Sequence, residues 1–147
     1  MNKPDSVRAA IVAAYPALAS EPEKLTVFID NGSIAATGTV SASFEYRYQL
    51  HILVLDFAGD ADLIMIALIE WARANQPDLV TNADQRASGI TFEADILNNA
   101  TCDLSIKMQL TESVVVRTNA VGERTIEHVD DSLEIDWTAQ PWQNSTS

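Results

Sequence analysis

The residues able to carry chemistry in this 147-residue chain are few, and their spacing favours structural roles. His51 and His128 are the two histidines, the residue type most used as metal ligand and general base, but they have no metal-ligand spacing. His51 also lacks an adjacent acid, so both read as structural or solvated positions. Cys102 is the single cysteine; it alternates with apolar positions and reads as a small buried residue rather than a nucleophile. Asp56, Asp60 and Asp62 could suggest a cation site, yet the glycine and terminal glutamate of a calcium loop are missing. Helix capping explains them better. The chain has no Gly-x-Ser-x-Gly elbow, no phosphate-binding glycine loop and no paired-cysteine motif, and nothing marks two carboxylates as a catalytic pair. The reading is a non-enzymatic chain without cofactor or metal.

The elements that would position these residues follow from periodicity. Pro4 suits a first helical position, Asp5 complements the helix dipole, and Val7, Ala10, Ile11, Ala14 and Leu18 keep a 3.6-residue period. Pro16 should end or kink that helix near Tyr15. A strand through Leu25, Val27 and Ile29 meets Asn31-Gly32, which predicts a two-residue turn because both residues tolerate positive φ. Residues 33–42 then read as a returning edge strand or a loop. A longer strand alternates through Phe44, Tyr46, Tyr48, Leu50, Ile52 and Val54, and its second half, apolar on both faces, should lie deep in the sheet.

The second helix starts at an Asp60 cap, carries Arg73 in its last turn and stops before Pro77. Asp62, Glu70 and Arg73 form a narrow polar strip with Ile66 among them, and apolar residues occupy roughly two-thirds of the circumference. A surface helix packed on one layer needs a stripe of only about 100°. Either the first helix and the loops cover the remainder or another subunit does. Strands over Gly89–Leu97 and Cys102–Leu110 follow, then a β-rich stretch through Val114, Val115 and Val116, a turn near Gly122 and a strand over Thr125–Val129. This order predicts an α+β fold, a mostly antiparallel sheet packed against two helices. It forms a single domain over 3–138, followed by a polar C-terminal tail over 139–147.

Composition and charge exclude several function classes. With 47% hydrophobic residues and one cysteine, the chain can build one core without a disulfide or metal staple. The apolar run Leu63–Ile69 falls far short of the ~20 residues of a spanning helix, and the N-terminus has no apolar signal core, so it reads as cytosolic with no membrane partner. A net charge of −12 argues against specific nucleic-acid binding, because phosphate repels such a surface, though DNA could slide past it. From Glu123 to Asp136, six acids stand against Arg124, and Leu133, Ile135 and Trp137 alternate with acids. That segment reads as a solvated last strand, or as an arm adding to a neighbour's sheet edge with Trp137 or Trp142 as anchor.

Several segments carry a family resemblance: Lys-Pro-Asp-Ser (3–6), Val-Phe-Ile-Asp-Asn-Gly-Ser-Ile-Ala (27–35), Ser-Phe-Glu-Tyr-Arg-Tyr (43–48), Asp-Phe-Ala-Gly-Asp-Ala-Asp-Leu (56–63), Asn-Gln-Pro-Asp (75–78), Gly-Ile-Thr-Phe-Glu-Ala-Asp-Ile (89–96) and Leu-Thr-Glu (110–112). In these the chain resembles the R-type tail completion proteins of peduovirus-like contractile-tailed phages, over about three-quarters of its length. The resemblance implies a tail-terminator-like α/β subunit forming a ring, commonly hexameric, at the head-proximal end of the tail. The ring would stop tail polymerisation and prepare head–tail joining. Partners would be further copies of itself, the tail tube or sheath protein, and the head connector or completion protein. The place would be the virion tail, after assembly in the host cytoplasm. In such a ring the expected subunit contacts are Met65, Leu68, Ile69 and Trp71 on the helix, with Trp137 and Trp142 on the arm. Asn31, Gly32 and Ser33 would form a loop touching tube or connector. The competing reading is an acidic monomeric adaptor that engages a basic partner.

Overall fold

A computed structural model of the protein describes residues 1–37, 42–98 and 100–129. Helix α1 spans Lys3–Ala14, with proline in its first turn and Asp5 at its positive end. It stops at Tyr15, ahead of Pro16, as the sequence predicts. A one-turn helix α2 (Ala17–Ser20) and a 3-10 turn (Pro22–Lys24) lead into strand β1, Leu25–Ala36. Strand β2 (Phe44–Phe57) is followed by helix α3 (Ala61–Asn75) and two one-turn helices, α4 (Asp78–Thr81) and α5 (Ala83–Arg86). Strands β3 (Ile90–Ile96), β4 (Cys102–Thr118) and β5 (Arg124–His128) complete the described chain.

All strand pairings are antiparallel. The order is β1-β2-β4-β3, and β5 also pairs with β4. β3 takes the Cys102–Met108 stretch of β4 and β5 takes Val114–Thr118, so the two short strands share one side of the long one. The alternation read in the sequence sets the buried face. Leu50, Ile52 and Val54 of β2 and Leu104, Ile106, Met108 and Leu110 of β4 are buried with Val7 and Ile11 of α1 and Ile64, Leu68 and Ala72 of α3. Two helices therefore cover one face of the antiparallel sheet, the α+β arrangement expected.

Two local expectations give way. Asn31-Gly32 does not turn the chain, because β1 runs through both residues to Ala36. The pairing with β2 shifts between Asp30 and Ser33, and Asn31 holds φ at 55°. These features define a β-bulge, which uses the same tolerance of positive φ as a hairpin turn. Ser33–Ala36 continues outward to pair with Phe44–Arg47 rather than returning. The stretch beyond Leu110 likewise belongs to the same strand, since β4 continues unbroken to Thr118. The expected domain end at 138 and the tail 139–147 lie outside the described residues.

Candidate functional site

Three places in the fold gather polar or unpartnered side chains. The first is on the sheet face away from the helices. Strand register sets Phe28 opposite His51, and Leu53 opposite Ser105. The His51 ring lies against Phe28, centroids 4.7 Å apart, with Nε2 2.7 Å from Ser105 Oγ. Its Nδ1 is 3.9 Å from Asp30 Oδ2 and has no hydrogen-bond partner among the described residues. The order Asp–His–Ser is that of an acyl-transfer triad, and the sequence alone did not reveal it because strand register assembles it. The base–orienter distance is too long for a hydrogen bond. Backbone N–H groups often serve as oxyanion donors, but Ser105 stands inside the ladder, flanked by Leu53 and Glu93 on its two sides. The geometry suits a clamp across three strands.

The second place is a buried polar plug at the edge of β4, in the gap between β3 and β5. Gln76, the residue that closes α3, accepts a hydrogen bond from the Thr111 backbone N–H at 3.1 Å and one from Lys3 Nζ at 2.6 Å, both on Oε1. Its Nε2 donates to Thr111 Oγ1 and to Asp78 Oδ1. Lys3 Nζ also donates to the Thr111 carbonyl at 2.7 Å. Side chains thus satisfy both main-chain groups of Thr111 that a neighbouring strand would otherwise take. Next to it, buried Glu112 accepts from the Asn2 backbone N–H at 2.8 Å and from the Tyr48 hydroxyl at 2.5 Å. Burial first, and then this bond to a carboxylate, push the Tyr48 hydroxyl well above the usual tyrosine range.

The third place is the set of expected contact residues on α3. Asp60 caps the helix by accepting from the Asp62 N–H, as the capping reading requires. Asp56 instead sits in a bulge of β2 at φ 52°, so the three aspartates do not converge. Among the described residues no group of histidine, cysteine or acidic side chains could hold a metal, and no helix is long and apolar enough to cross a membrane. Leu68 and Trp71 belong to the chain's own core, 1% and 6% exposed, and Trp71 Nε1 donates to Ser6 Oγ of α1 at 2.8 Å. The first helix therefore covers that part of the broad apolar arc. Met65 is half-buried and Ile69 exposed, and Leu63 and Ile66 join Ile69 on the open side. Sequence reasoning placed Ile66 in the polar strip and passed over it, although that strip is the side facing water.

The remaining surfaces frame the sheet. Asn31, Gly32 and Ser33 are exposed at the β1 bulge, on an edge strand rather than in a loop. At the opposite edge, Phe92 and Ile96 of β3 share the helix side with Ile106 and Cys102, but no helix reaches them, and they stay 62% and 75% exposed. Trp137 and Trp142 lie outside the described residues.

The described residues show open sheet edges and apolar side chains left uncovered beside a filled core. Residues 1–132 match the family described as P2 phage tail completion protein R (GpR). The chain is 47% identical over 116 residues to "Tail completion protein R" of Escherichia phage P2, covering 79% of this chain and 75% of that protein. No solved structure matches. The chain belongs to the P2 phage tail completion protein R family.

Proposed function

We infer that this chain completes a phage tail, as a non-enzymatic part of the virion tail assembled in the host cytoplasm. The observation that carries this reading is the 47% identity to a tail completion protein over most of both chains. In the finer form, copies of the chain close into a ring, commonly six, at the head-proximal end. The ring ends tail polymerisation on the tube or sheath protein and offers a face to the head connector.

A closed ring needs two different surfaces that meet head to tail. The open stripe of α3 (Leu63, Ile66 and Ile69, with half-buried Met65) is one candidate, and the uncovered Phe92 and Ile96 of β3 are the other. The β1 bulge at Asn31, Gly32 and Ser33 is the candidate contact with tube or connector. The net charge of −12 suits a wall past which DNA moves without sticking. The test is electron microscopy of particles made by a phage lacking this chain. Tails of uncontrolled length, or tails that fail to join heads, are the expected results. Normal, joined and infectious particles would reject the reading.

A further inference from the structure

The sheet ends in two edges with free main-chain groups, and strand alternation says which residues carry them. Gln109 N–H donates to the Gly89 carbonyl and Ser113 accepts from the Val129 N–H, so these odd positions of β4 point away from β2. Carried through the register, this makes Phe92 and Ala94 of β3, and Val27 and Ile29 of β1, residues whose N–H and C=O point out of the sheet. Among the described residues none of these groups has a partner. Leu25, by contrast, is closed. Its N–H donates to the Pro22 carbonyl, and its own carbonyl accepts from Arg8 Nη2 at 2.8 Å. The bulge at Asn31 interrupts the strand at the other end of this stretch.

The two edges match in direction and in face. Every neighbouring pair along β1-β2-β4-β3 is antiparallel, so β1 and β3 run in opposite directions. A second copy set beside the first in the same orientation therefore brings its β1 to β3 as an antiparallel neighbour, with the helices of both copies on one side. On both edges the outward main-chain groups belong to residues whose side chains lie on the helix side, among them the exposed Ile29 and Phe92. Charge narrows the register, because like charges directly opposite each other destabilise a pair of strands. Setting Ile29 opposite Phe92 joins the exposed apolar side chains and places Asp30 opposite Thr91, Phe28 opposite Glu93 and Thr26 opposite Asp95. It also brings Asp95 to the end of β1 that Arg8 and Lys24 flank. Two β3 edges that covered Phe92 and Ile96 with each other would instead oppose Glu93 to Asp95, and a pairing of like edges stops at two copies.

We propose that β3 of one subunit pairs edge to edge with β1 of the next, Phe92 opposite Ile29 and Ala94 opposite Val27, so that one antiparallel sheet runs from subunit to subunit. This rests on the ring reading above and gives β3 a counterpart other than the α3 stripe. The same step repeated from copy to copy makes a closed ring when the rotation closes.

The test is a cysteine cross-link read in assembled tails. Thr26 and Asp95 form a non-hydrogen-bonded pair in this register, with Cα atoms ~4.5 Å apart and within disulfide range. Inside one subunit β2 and β4 hold them three strand spacings apart, about 14 Å, so a disulfide must join two copies. Particles are prepared from phage carrying Thr26→Cys and Asp95→Cys with the single native cysteine replaced, Cys102→Ala, then oxidised and run on a gel without reductant. The expected result is a series of covalent multimers from the double variant and single-chain bands from either new cysteine alone. Asp30→Cys with Thr91→Cys reads the same register at the other end of the free edge and should give the same series, so one poorly folding variant does not decide the outcome. Single-chain bands from both pairs, in tails that hold several copies, would overturn the proposal and leave the ring standing. Covalent dimers from one new cysteine alone would also overturn it, because like edges would then meet. One copy per tail, counted by quantitative mass spectrometry, would remove the ring reading and the proposal with it.

Discussion

Replacing Gln76 by leucine tests the plug at the sheet edge. Leucine has comparable bulk but cannot accept from the Thr111 N–H, now 3.1 Å from Oε1, or from Lys3 Nζ at 2.6 Å. A buried N–H left without a partner costs about 1–3 kcal/mol, and a lost bond to a buried ammonium about 1.5–3 kcal/mol. Burying leucine instead of an amide returns ~1 kcal/mol. The net expectation is a loss of about 1.5–5 kcal/mol, a large share of the ~5–15 kcal/mol that holds a domain together. With a urea slope of ~2 kcal/mol/M, the unfolding midpoint should fall by about 0.7–2.5 M. Hydrogen exchange at the Thr111 amide should quicken beyond the general loss of stability. A Q76L protein that loses less than about 0.5 kcal/mol and keeps the Thr111 amide protected would refute the reasoning, because another group would have to satisfy the strand edge.

Other outcomes follow from the same geometry. Leu68→Ala should cost about 2–5 kcal/mol by opening a cavity in a filled core, measured by urea unfolding. Ile66→Glu with Ile69→Glu should leave single-chain stability within about 1 kcal/mol, since both residues are already in water. The same pair should abolish ring formation, scored by electron microscopy, if this face meets a neighbour. Tyr48 gives a pH dependence of known sign. Its pKa is raised above the ordinary 10.0, so the folded state holds a proton that the unfolded state gives up. Stability should be full below about pH 10 and decline above it by up to ~1.4 kcal/mol per unit. Tyr48→Phe should remove that decline, and equal slopes for both proteins in urea titrations at rising pH would count against the buried hydroxyl–carboxylate bond.

Local physics made much of this fold readable from the chain. Asp60 caps α3 because its carboxylate reaches the Asp62 N–H two residues away, and Pro16 stops α1 because it cannot donate. The strict alternation of Leu50, Ile52 and Val54 places β2 in the centre of the sheet. What stayed hidden depends on pairing between distant segments. Asn31-Gly32 suits a bulge as well as a turn, and only the register with β2 decides between them. Lys3 and Gln76 are 73 residues apart, and no pattern in either neighbourhood announces that they share a strand edge. The width of the apolar arc on α3 was visible, but not that Ser6 and α1 take the Trp71 side while Leu63, Ile66 and Ile69 stay open.

The most direct check on a tail completion role is reconstitution. Tails accumulated without this chain would be purified, supplied with the purified protein and then with filled heads, and the joined particles counted by electron microscopy and plaque assay. Joined, infectious particles that rise with added protein and saturate at a fixed number of copies per tail are the predicted result. Tails that join heads equally well without it, or that take up none of it, would contradict the assignment.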